Sequence, residues 1–277
     1  MEGLEYKIAE AEDLDPRFSR EEWGDLILYR FNSVPDGTRA YFTTRNGGIS
    51  RQPYESLNLG FHVGDDPEAV SANRKLLASI LGLDSSRITS PRQRHCPEVS
   101  VLADQVDVGA GAQSEDSSFD PCDGLITSLQ GAPILLHFAD CVPVIIAAEG
   151  KTRWVGVIHA GREGLMQGVV REGVFALLKQ DVPPESITAA VGPAIGPCCY
   201  EVDEETASRF SDQFSSDLVS GNYLDLPGAV QKELIASGVF QENIAFLNRC
   251  TACSSGFYSY RRDGVTGRHG AIAWIEE

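Results

Sequence analysis

Positively charged residues are scarce in this sequence. It contains 23 lysines and arginines against 40 aspartates and glutamates, which gives a formal net charge of -17 at pH 7. A chain with this excess of negative charge repels a nucleic-acid backbone or an anionic membrane surface. We therefore expect neither partner, and an anionic substrate would have to be bound by a local cluster of arginines.

Long apolar runs are also lacking. No run approaches the roughly 18 residues that a membrane-spanning helix requires, and the first residues do not combine a basic stretch with an apolar one as a secretory signal does. The seven cysteines are an odd number in a chain without such a signal. This favours a reducing compartment, where thiols serve packing, metal binding or catalysis. We expect a cytoplasmic protein.

The spacing of apolar residues predicts both strands and helices. Short β-branched runs predict strands at 26–29, 40–43, 125–127, 134–136, 142–148, 154–158, 187–191, 244–247 and 271–275. Helical spacing predicts helices from Pro67 to about Gly82, after His159 with Phe175 among the inward-facing residues, and near 203–214 and 228–238. Strands and helices are interspersed without a steady βαβ period, which favours an α+β fold.

Three residues offer a mixed nitrogen and sulfur ligand set. His95, Cys141 and His159 are two imidazoles and a thiol, which suit Zn²⁺. With a fourth position open, such a site could activate a water. The spacing matches no local zinc motif, so two other interpretations stay open: Cys141 packs in the core while His159 caps a turn, or Cys141 is a nucleophile activated by a histidine.

Further residues carry alternative interpretations. Asp140 either orients a histidine as a hydrogen-bond acceptor or is a turn residue at a strand end. The pair Cys250 and Cys253 could join Cys198 and Cys199 in a four-cysteine zinc site, although one C-x-x-C without a matched pair does not decide this.

Arginines beside glycines are candidates for an anion pocket. Arg45 precedes Asn46-Gly47-Gly48, and Arg261, Arg262 and Arg268 lie in a glycine-containing segment near the C-terminus. Fixed cations beside a backbone that a ligand can approach closely are typical of anion sites. A hairpin turn and a solvated loop are the alternatives.

Several blocks together resemble a known family. The chain contains, in order, TTRNGGIS, ESLNLGFHVGDDPEAVSANR, DGLIT, HFADCVPV, VIHAG, VGPAIGPCCYEV and SYRRDGVTGRHGAIAW. Over residues 40 to 275 these closely match the YfiH-like family, also called the laccase-domain or polyphenol oxidase family. The resemblance implies a single domain over residues 1–277, with a four-layer α/β/β/α sandwich similar to the catalytic domain of cytotoxic necrotizing factor.

The resemblance also implies a site. His95, Cys141 and His159 match the family's His-Cys-His residues, which bind zinc or, in some reports, copper. The activities assigned to the family are purine nucleoside phosphorolysis of adenosine, inosine and methylthioadenosine, adenosine deamination, multicopper laccase chemistry and editing of peptidoglycan precursors. A laccase needs about ten histidines for its coppers, and this chain has five.

Phosphorolysis needs a phosphate held by arginines, for which Arg45 with Arg261 or Arg262 are the candidates. Asn58 and Asn73 are candidates for contacts with ribose hydroxyls or base edges. The chain departs from the family pattern where Arg162 and Glu163 replace Trp-Arg, so substrate preference or phosphate affinity could differ.

The resulting prediction is a zinc-dependent purine nucleoside phosphorylase that uses phosphate as co-substrate, with adenosine deaminase side activity. Cys141, His95, His159 and Asp140 are the predicted catalytic residues. A Cys141-dependent hydrolase or peptidoglycan-precursor editing enzyme, and a copper-dependent polyphenol oxidase, are the alternatives.

Overall fold

Two six-stranded sheets form the centre of the molecule. The computed structural model describes residues 6–9, of which only the backbone is considered, and residues 14–277. The strands are β1 (Tyr6–Ala9), β2 (Phe18–Trp23), β3 (Leu26–Phe31), β4 (Thr38–Thr43), β5 (Val99–Leu102), β6 (Gly124–Thr127), β7 (Ile134–Phe138), β8 (Val142–Glu149), β9 (Arg153–Ala160), β10 (Thr188–Val191), β11 (Val219–Ser220), β12 (Tyr223–Leu224), β13 (Ile244–Phe246) and β14 (His269–Ile275). The α-helices are α1 (Pro67–Leu81), α2 (Arg162–Met166), α3 (Val169–Leu178), α4 (Glu204–Gln213), α5 (Leu226–Ala236) and α6 (Tyr260–Asp263).

The sheets differ in strand direction. The first has the order β1-β2-β3-β4-β14-β7 and its neighbours pair antiparallel. The second has the order β13-β10-β8-β9-β6-β5, and its two outer pairs, β10 with β13 and β5 with β6, are parallel. The antiparallel pairing of β8 with β9 aligns Val142 with Ala160.

Alternating side chains of the strands divide the core into layers. Ile145 and Val157 point to the space between the sheets, where they join Phe42 and Leu136. Their neighbours point the other way, because successive side chains of a strand face opposite sides of a sheet. Such fully buried aliphatic side chains each contribute about 1.5–3 kcal/mol to stability.

Helices cover the outer faces. Val144, Ile146 and Ile158 pack with residues of α3 and α5. On the other side of the molecule, Leu77 of α1 packs against the first sheet. The layers are therefore helix, sheet, sheet and helix, and the predicted α+β class with a four-layer sandwich is confirmed. The likeness to cytotoxic necrotizing factor stays a prediction.

The segment after His159 is two helices rather than one. Gly168 has a φ of 91°, a conformation that glycine adopts without a steric penalty, and it separates α2 from α3. The buried face of α3 then consists of Val169, Val170, Gly173, Val174, Ala176 and Leu177. The prediction that Phe175 faces inward is wrong, since its side chain is 38% exposed. No helix in residues 6–9 and 14–277 is long and apolar enough to cross a membrane.

Candidate functional site

The hairpin of β8 and β9 brings two of the candidate ligands together. Pro143 aligns with His159, so Cys141, just before β8, lies beside the end of β9 where His159 stands. His95 comes from the segment before β5 and has a φ of 57°. The ligand atoms of His95, Cys141 and His159 lie within 4.8 Å of one another, and the His95 Nε2 to Cys141 Sγ distance is 3.7 Å. The three distant side chains therefore converge.

Glycine lets these side chains lie against the backbone. A Cβ added at Gly161 would lie 2.7 Å from the His95 ring and 3.0 Å from the Cys141 sulfur, so a side chain here would require the His95 ring to shift. His159 is buried, Cys141 is half-buried and His95 is exposed. The cluster is therefore fixed on one side and open on the other.

Asp123 organises both histidines. Its Oδ1 lies 2.6 Å from His159 Nδ1. Its Oδ2 accepts hydrogen bonds from the backbone N–H groups of Arg94 and Cys96 and from the Cys96 thiol, and these residues flank His95. A carboxylate behind a ligating histidine fixes the tautomer and the ring orientation. Sequence reasoning missed Asp123, although it precedes the DGLIT glycine in a recognisable block.

Electrostatics favour a thiolate and a protonated imidazole. Burial would raise the pKa of Cys141, but the charge of His159 and hydrogen bonds from both histidines lower it. Burial would likewise lower the pKa of His159, which the Cys141 thiolate and Asp123 instead raise. Burial would raise the pKa of Asp123 too, yet its hydrogen bonds from His159 and Cys96 hold it well below its ordinary value.

The donor set fits a zinc ion. One thiolate and two imidazoles, one of them backed by a carboxylate, are the ligands that a catalytic zinc takes while leaving a position open. His95, Cys141 and His159 are the residues that would hold it. Loss of a proton from His159 Nε2 would accompany binding, because a ligating nitrogen must be free of its proton.

The cluster lines a cavity of about 570 Å³, and cationic and aromatic side chains line the same cavity. Arg74 is fully buried, and its Nη2 lies 2.8 Å from His137 Nε2. Burial lowers the pKa of Arg74 to about 9, so it stays charged at pH 7. Its guanidinium lies 4.4 Å from the centroid of the Phe61 ring. Arg268, Arg92 and Arg261 also line the cavity.

Two histidines near these arginines are neutral. Burial, then the charges of Arg268 and Arg74, lower the pKa of His62 to about 4. Burial and Arg74 likewise hold the pKa of His137 well below its ordinary value. Sequence reasoning did not identify three of the residues that line the cavity, namely His62, His137 and Arg74. His137 could have been found, because it follows an apolar run as His159 does.

Two predicted binding residues lie away from the cavity. Asn73 is fully buried, and its side chain bonds to Ser50, Ser56, Asn58 and the N–H of Ile49. Asn58 is also fully buried, and its amide bonds to Gly60 and Asp65 and accepts from the Arg268 N–H. These side chains therefore make their hydrogen bonds to protein groups, and their contact with ribose or a base stays a prediction.

Two of the predicted arginines donate hydrogen bonds to backbone carbonyl groups. Arg45 Nε donates to the Glu55 carbonyl, and its guanidinium lies 4.8 Å from the centroid of the Tyr258 ring. Arg262 Nη1 donates to the carbonyls of Thr251 and Ser254. Neither lines the cavity, whereas Arg261 and Arg268 do. A phosphate-binding role for Arg45 and Arg262 stays a prediction.

Asp140 is the turn residue rather than the orienting acceptor. It has a φ of 89°, and its carboxylate accepts from the Thr251 hydroxyl and the Arg261 N–H. The histidine-orienting role belongs to Asp123. Asp140 nevertheless lines the cavity and fixes the backbone of Arg261.

A family model described as multi-copper polyphenol oxidoreductase laccase matches residues 39–276. The chain belongs to this family. Among relatives, it is 37% identical over 255 residues to purine nucleoside phosphorylase ORF3 of Streptomyces griseus, covering 91% of this chain and all of that protein. It is also 37% identical over 243 residues to purine nucleoside phosphorylase YlmD of Geobacillus stearothermophilus, covering 84% of this chain and 88% of that protein.

Solved structures of the family share the fold. The hypothetical protein YfiH of Bacillus licheniformis superposes with a TM-score of 0.85 at 32% identity, over 91% of this chain and 97% of that one. YlmD from Geobacillus stearothermophilus gives 0.85 at 35% identity, over 92% and 98%. The resemblance inferred from the sequence blocks is thereby confirmed.

The departure at Arg162 and Glu163 lies at the start of α2 in this laccase-family protein. Arg162 Nη2 lies 2.6 Å from Glu163 Oε1, so the shifted cation is paired with its own neighbour. Neither residue lines the cavity.

Proposed function

We propose that this protein is a zinc-dependent purine nucleoside phosphorylase that acts on adenosine, inosine and methylthioadenosine, with adenosine deaminase side activity. The supporting observation is that one cavity is lined both by the cluster of His95, Cys141 and His159 and by several arginines. This concentration of positive charge occurs in a chain of net charge -17. The relatives named purine nucleoside phosphorylase support the same choice.

The cationic wall suits phosphate. Arg268 and Arg261 line the cavity, and the neutral His62 lines it too. Guanidinium groups bind phosphate oxygens with two parallel hydrogen bonds. The neutral His62 imidazole can donate one further hydrogen bond to a phosphate oxygen. Dihydrogen or monohydrogen phosphate would be held here as the attacking group.

Aromatic side chains suit the purine. Phe61, Tyr200 and Tyr260 line the same cavity, and the Arg261 guanidinium lies 5.1 Å from the centroid of the Tyr200 ring. Planar rings stack on such faces and leave hydrogen-bonding edges free. The cavity of about 570 Å³ is in the usual range for a small-molecule site.

In phosphorolysis a phosphate oxygen bonds to C1′ of the ribose while the bond from C1′ to N9 breaks. The purine leaves with the electron pair and takes up the proton that the attacking phosphate loses. The arginines hold the attacking phosphate close to C1′, which lowers the entropic part of the barrier, and their charges stabilise the anionic groups in the transition state. Asp123 keeps the His159 ring in a fixed orientation at the cavity. A bound zinc ion supplies a Lewis acid and lowers the pKa of a water ligand, which is the requirement for deamination at C6.

Incubation of purified protein with adenosine and phosphate tests the proposal. Phosphorolysis gives adenine and ribose 1-phosphate, whereas deamination gives inosine and ammonia, so chromatography separates the two activities. We expect adenine to depend on added phosphate and on Arg261. No product beyond a buffer control with adenosine, inosine or methylthioadenosine would refute the proposal.

A second candidate is a Cys141-dependent hydrolase. The Cys141 thiol bonds to the His159 imidazole, and His159 Nδ1 lies 2.6 Å from Asp123 Oδ1. This is the arrangement of a thiol, imidazole and carboxylate triad in a cysteine hydrolase. It predicts activity on an amide or a peptidoglycan fragment that survives a chelator and is lost when Cys141 is alkylated. Loss of nucleoside turnover on chelation, with recovery on adding Zn²⁺, argues against it.

A further inference from the structure

Four cysteines meet outside the cavity cluster. The sulfurs of Cys198, Cys199, Cys250 and Cys253 all lie within 4.8 Å of one another. The Sγ of Cys253 is 3.5 Å from that of Cys198 and 3.3 Å from that of Cys199. We propose that this four-cysteine cluster binds a second, structural zinc ion as a tetrathiolate.

The sulfur separations suit a tetrahedral ion. Four Zn–S bonds of about 2.3 Å place the sulfurs about 3.8 Å apart, and the observed separations of 3.3 Å to no more than 4.8 Å span this value. All four thiols are free. Because four protein sulfurs fill the coordination sphere, no position is left for water, and the ion has a structural role.

The backbone next to the cluster contacts the sulfurs directly. The N–H of Gly196 donates to Cys250 Sγ at 3.3 Å, which stabilises the negative charge of a ligating thiolate. A Cβ at Gly196 would lie 3.4 Å from Cys198 Sγ and 3.5 Å from the Cys250 Cβ, so the turn lies directly against the sulfurs.

Two distant segments of the chain are joined at this point. A bridge pairs Ala194 with Cys250, and the N–H of Thr251 donates to the Ala194 carbonyl at 3.0 Å. These segments follow β10 and β13, which are parallel neighbours in the second sheet. Two cysteines come from each segment, so one ion would cross-link both ends.

The cross-linked segments also carry a wall of the cavity. Arg261 Nη1 donates to the Cys199 carbonyl at 3.1 Å, and the Thr251 hydroxyl donates to Asp140 at 2.6 Å. Tyr200, next to Cys199, lines the cavity. The ion would therefore hold Tyr200 and Arg261 in position while remaining separate from the cluster of His95, Cys141 and His159.

The test counts metal in a chain whose other site is removed. Cys141→Ser protein is purified under reducing, metal-free conditions, loaded with Zn²⁺, desalted and assayed by elemental analysis. We expect about one zinc ion per chain, and loss of that ion in the triple variant that adds Cys250→Ser and Cys253→Ser. Cys122→Ala in the Cys141→Ser chain is the matched control, because Cys122 is a buried thiol outside both clusters, and it should keep the ion.

Cobalt gives a second readout that does not depend on folding of the triple variant. Co²⁺ added to the Cys141→Ser chain should produce the intense sulfur-to-metal charge-transfer absorption of a tetrahedral tetrathiolate, and Zn²⁺ should displace it. A reduced Cys141→Ser chain that binds neither ion would overturn the proposal. So would a zinc content of the Cys141→Ser chain that stays the same when Cys250→Ser and Cys253→Ser are added.

Discussion

Asp123 Oδ1 and His159 Nδ1 lie 2.6 Å apart, and the backbone N–H of His159 donates to the Asp123 carbonyl at 2.7 Å. One residue thus fixes both the main chain and the ring of the histidine. The same carboxylate accepts hydrogen bonds from the backbone N–H groups of Arg94 and Cys96, the residues on either side of His95. The relative position of the two imidazoles therefore depends on Asp123.

Replacing Asp123 with asparagine should weaken metal binding at the cavity cluster. The amide removes the negative charge that orients His159, and such changes lower metal affinity about 10–100-fold. Competition with a chromophoric chelator measures this. The exposed Asp120 provides the control, because Asp120→Asn changes the same charge nearby. Equal affinity in the two variants would contradict the assigned role.

Adjacent arginines should give opposite phenotypes. Arg261→Gln removes a cation from the cavity wall and should raise KM for phosphate about 10-fold or more, because a hydrogen bond to a charged group is worth about 1.5–3 kcal/mol. Steady-state phosphorolysis at varied phosphate measures it. The free energy of unfolding should change little.

Arg262→Gln should instead reduce stability. Its Nη1 and Nη2 groups donate to the carbonyls of Thr251, Ser254 and Phe257, and loss of these bonds should cost about 2 kcal/mol. Urea unfolding measures the loss. A large rise in KM for phosphate without destabilisation would show that Arg262 belongs to the site after all.

Asn73→Ala should destabilise the fold by about 3 kcal/mol, because it leaves buried donors and acceptors without partners. KM for adenosine in the folded protein should stay unchanged, since the side chain is fully buried among protein groups. The exposed Asn32 is the matched position for Asn32→Ala, which should be nearly neutral. A weaker binding of adenosine at unchanged stability would restore Asn73 to the site.

Glu233 predicts a pH dependence of stability. Burial raises its pKa from the ordinary 4.5 to about 7, and its Oε2 is buried without a hydrogen-bond partner. The folded state holds this proton more tightly than the unfolded state, so wild-type stability falls as pH rises from about 4.5 to 7 and then levels. Glu233→Gln should therefore stabilise the protein most at pH 7 and above.

Urea unfolding of wild type and Glu233→Gln at a series of pH values checks this prediction. Glu242→Gln, at an exposed position, should show no such pH-dependent difference. A constant difference between wild type and Glu233→Gln from pH 4 to 8 would mean that the carboxyl does not titrate in this range.

The sequence predicted those parts of the fold where apolar spacing is strong. The bounds of α1 and the positions of β8, β9 and β14 agree with their apolar runs. Strands β2 and β5 were missed because β2 is FSREEW and β5 is the short VSVL, in which tertiary pairing rather than side-chain pattern decides the conformation. Phe175 was misplaced because it is apolar but, at 3.6 residues per turn, lies on the opposite side of α3 from the buried face that contains Val170, Val174 and Leu177.

Site residues that lie at the ends of strands could be predicted from the sequence. Polar residues could not be assigned, because the sequence does not show whether their side chains face the cavity or the protein interior. His159 and Cys141 flank apolar runs, so their convergence followed from strand pairing. Asn58 and Asn73 look the same in sequence whether they face a ligand or the protein interior, and only their partners distinguish the two. Arg74 was overlooked because a charged residue within a helix is usually solvent-exposed. The cytoplasmic location and the extent of the domain over residues 1–277 stay predictions.

The register of β8 against β9 limits how this protein can vary. The connection between these strands lies about 20 Å from His159, at a rise of about 3.4 Å per residue, so lengthening that turn leaves the ligands in place. A single residue inserted within β9 would instead send the imidazole of His159 to the opposite face of the sheet. Homologues should therefore tolerate length changes at 150–152 and exclude odd insertions between that turn and the histidine.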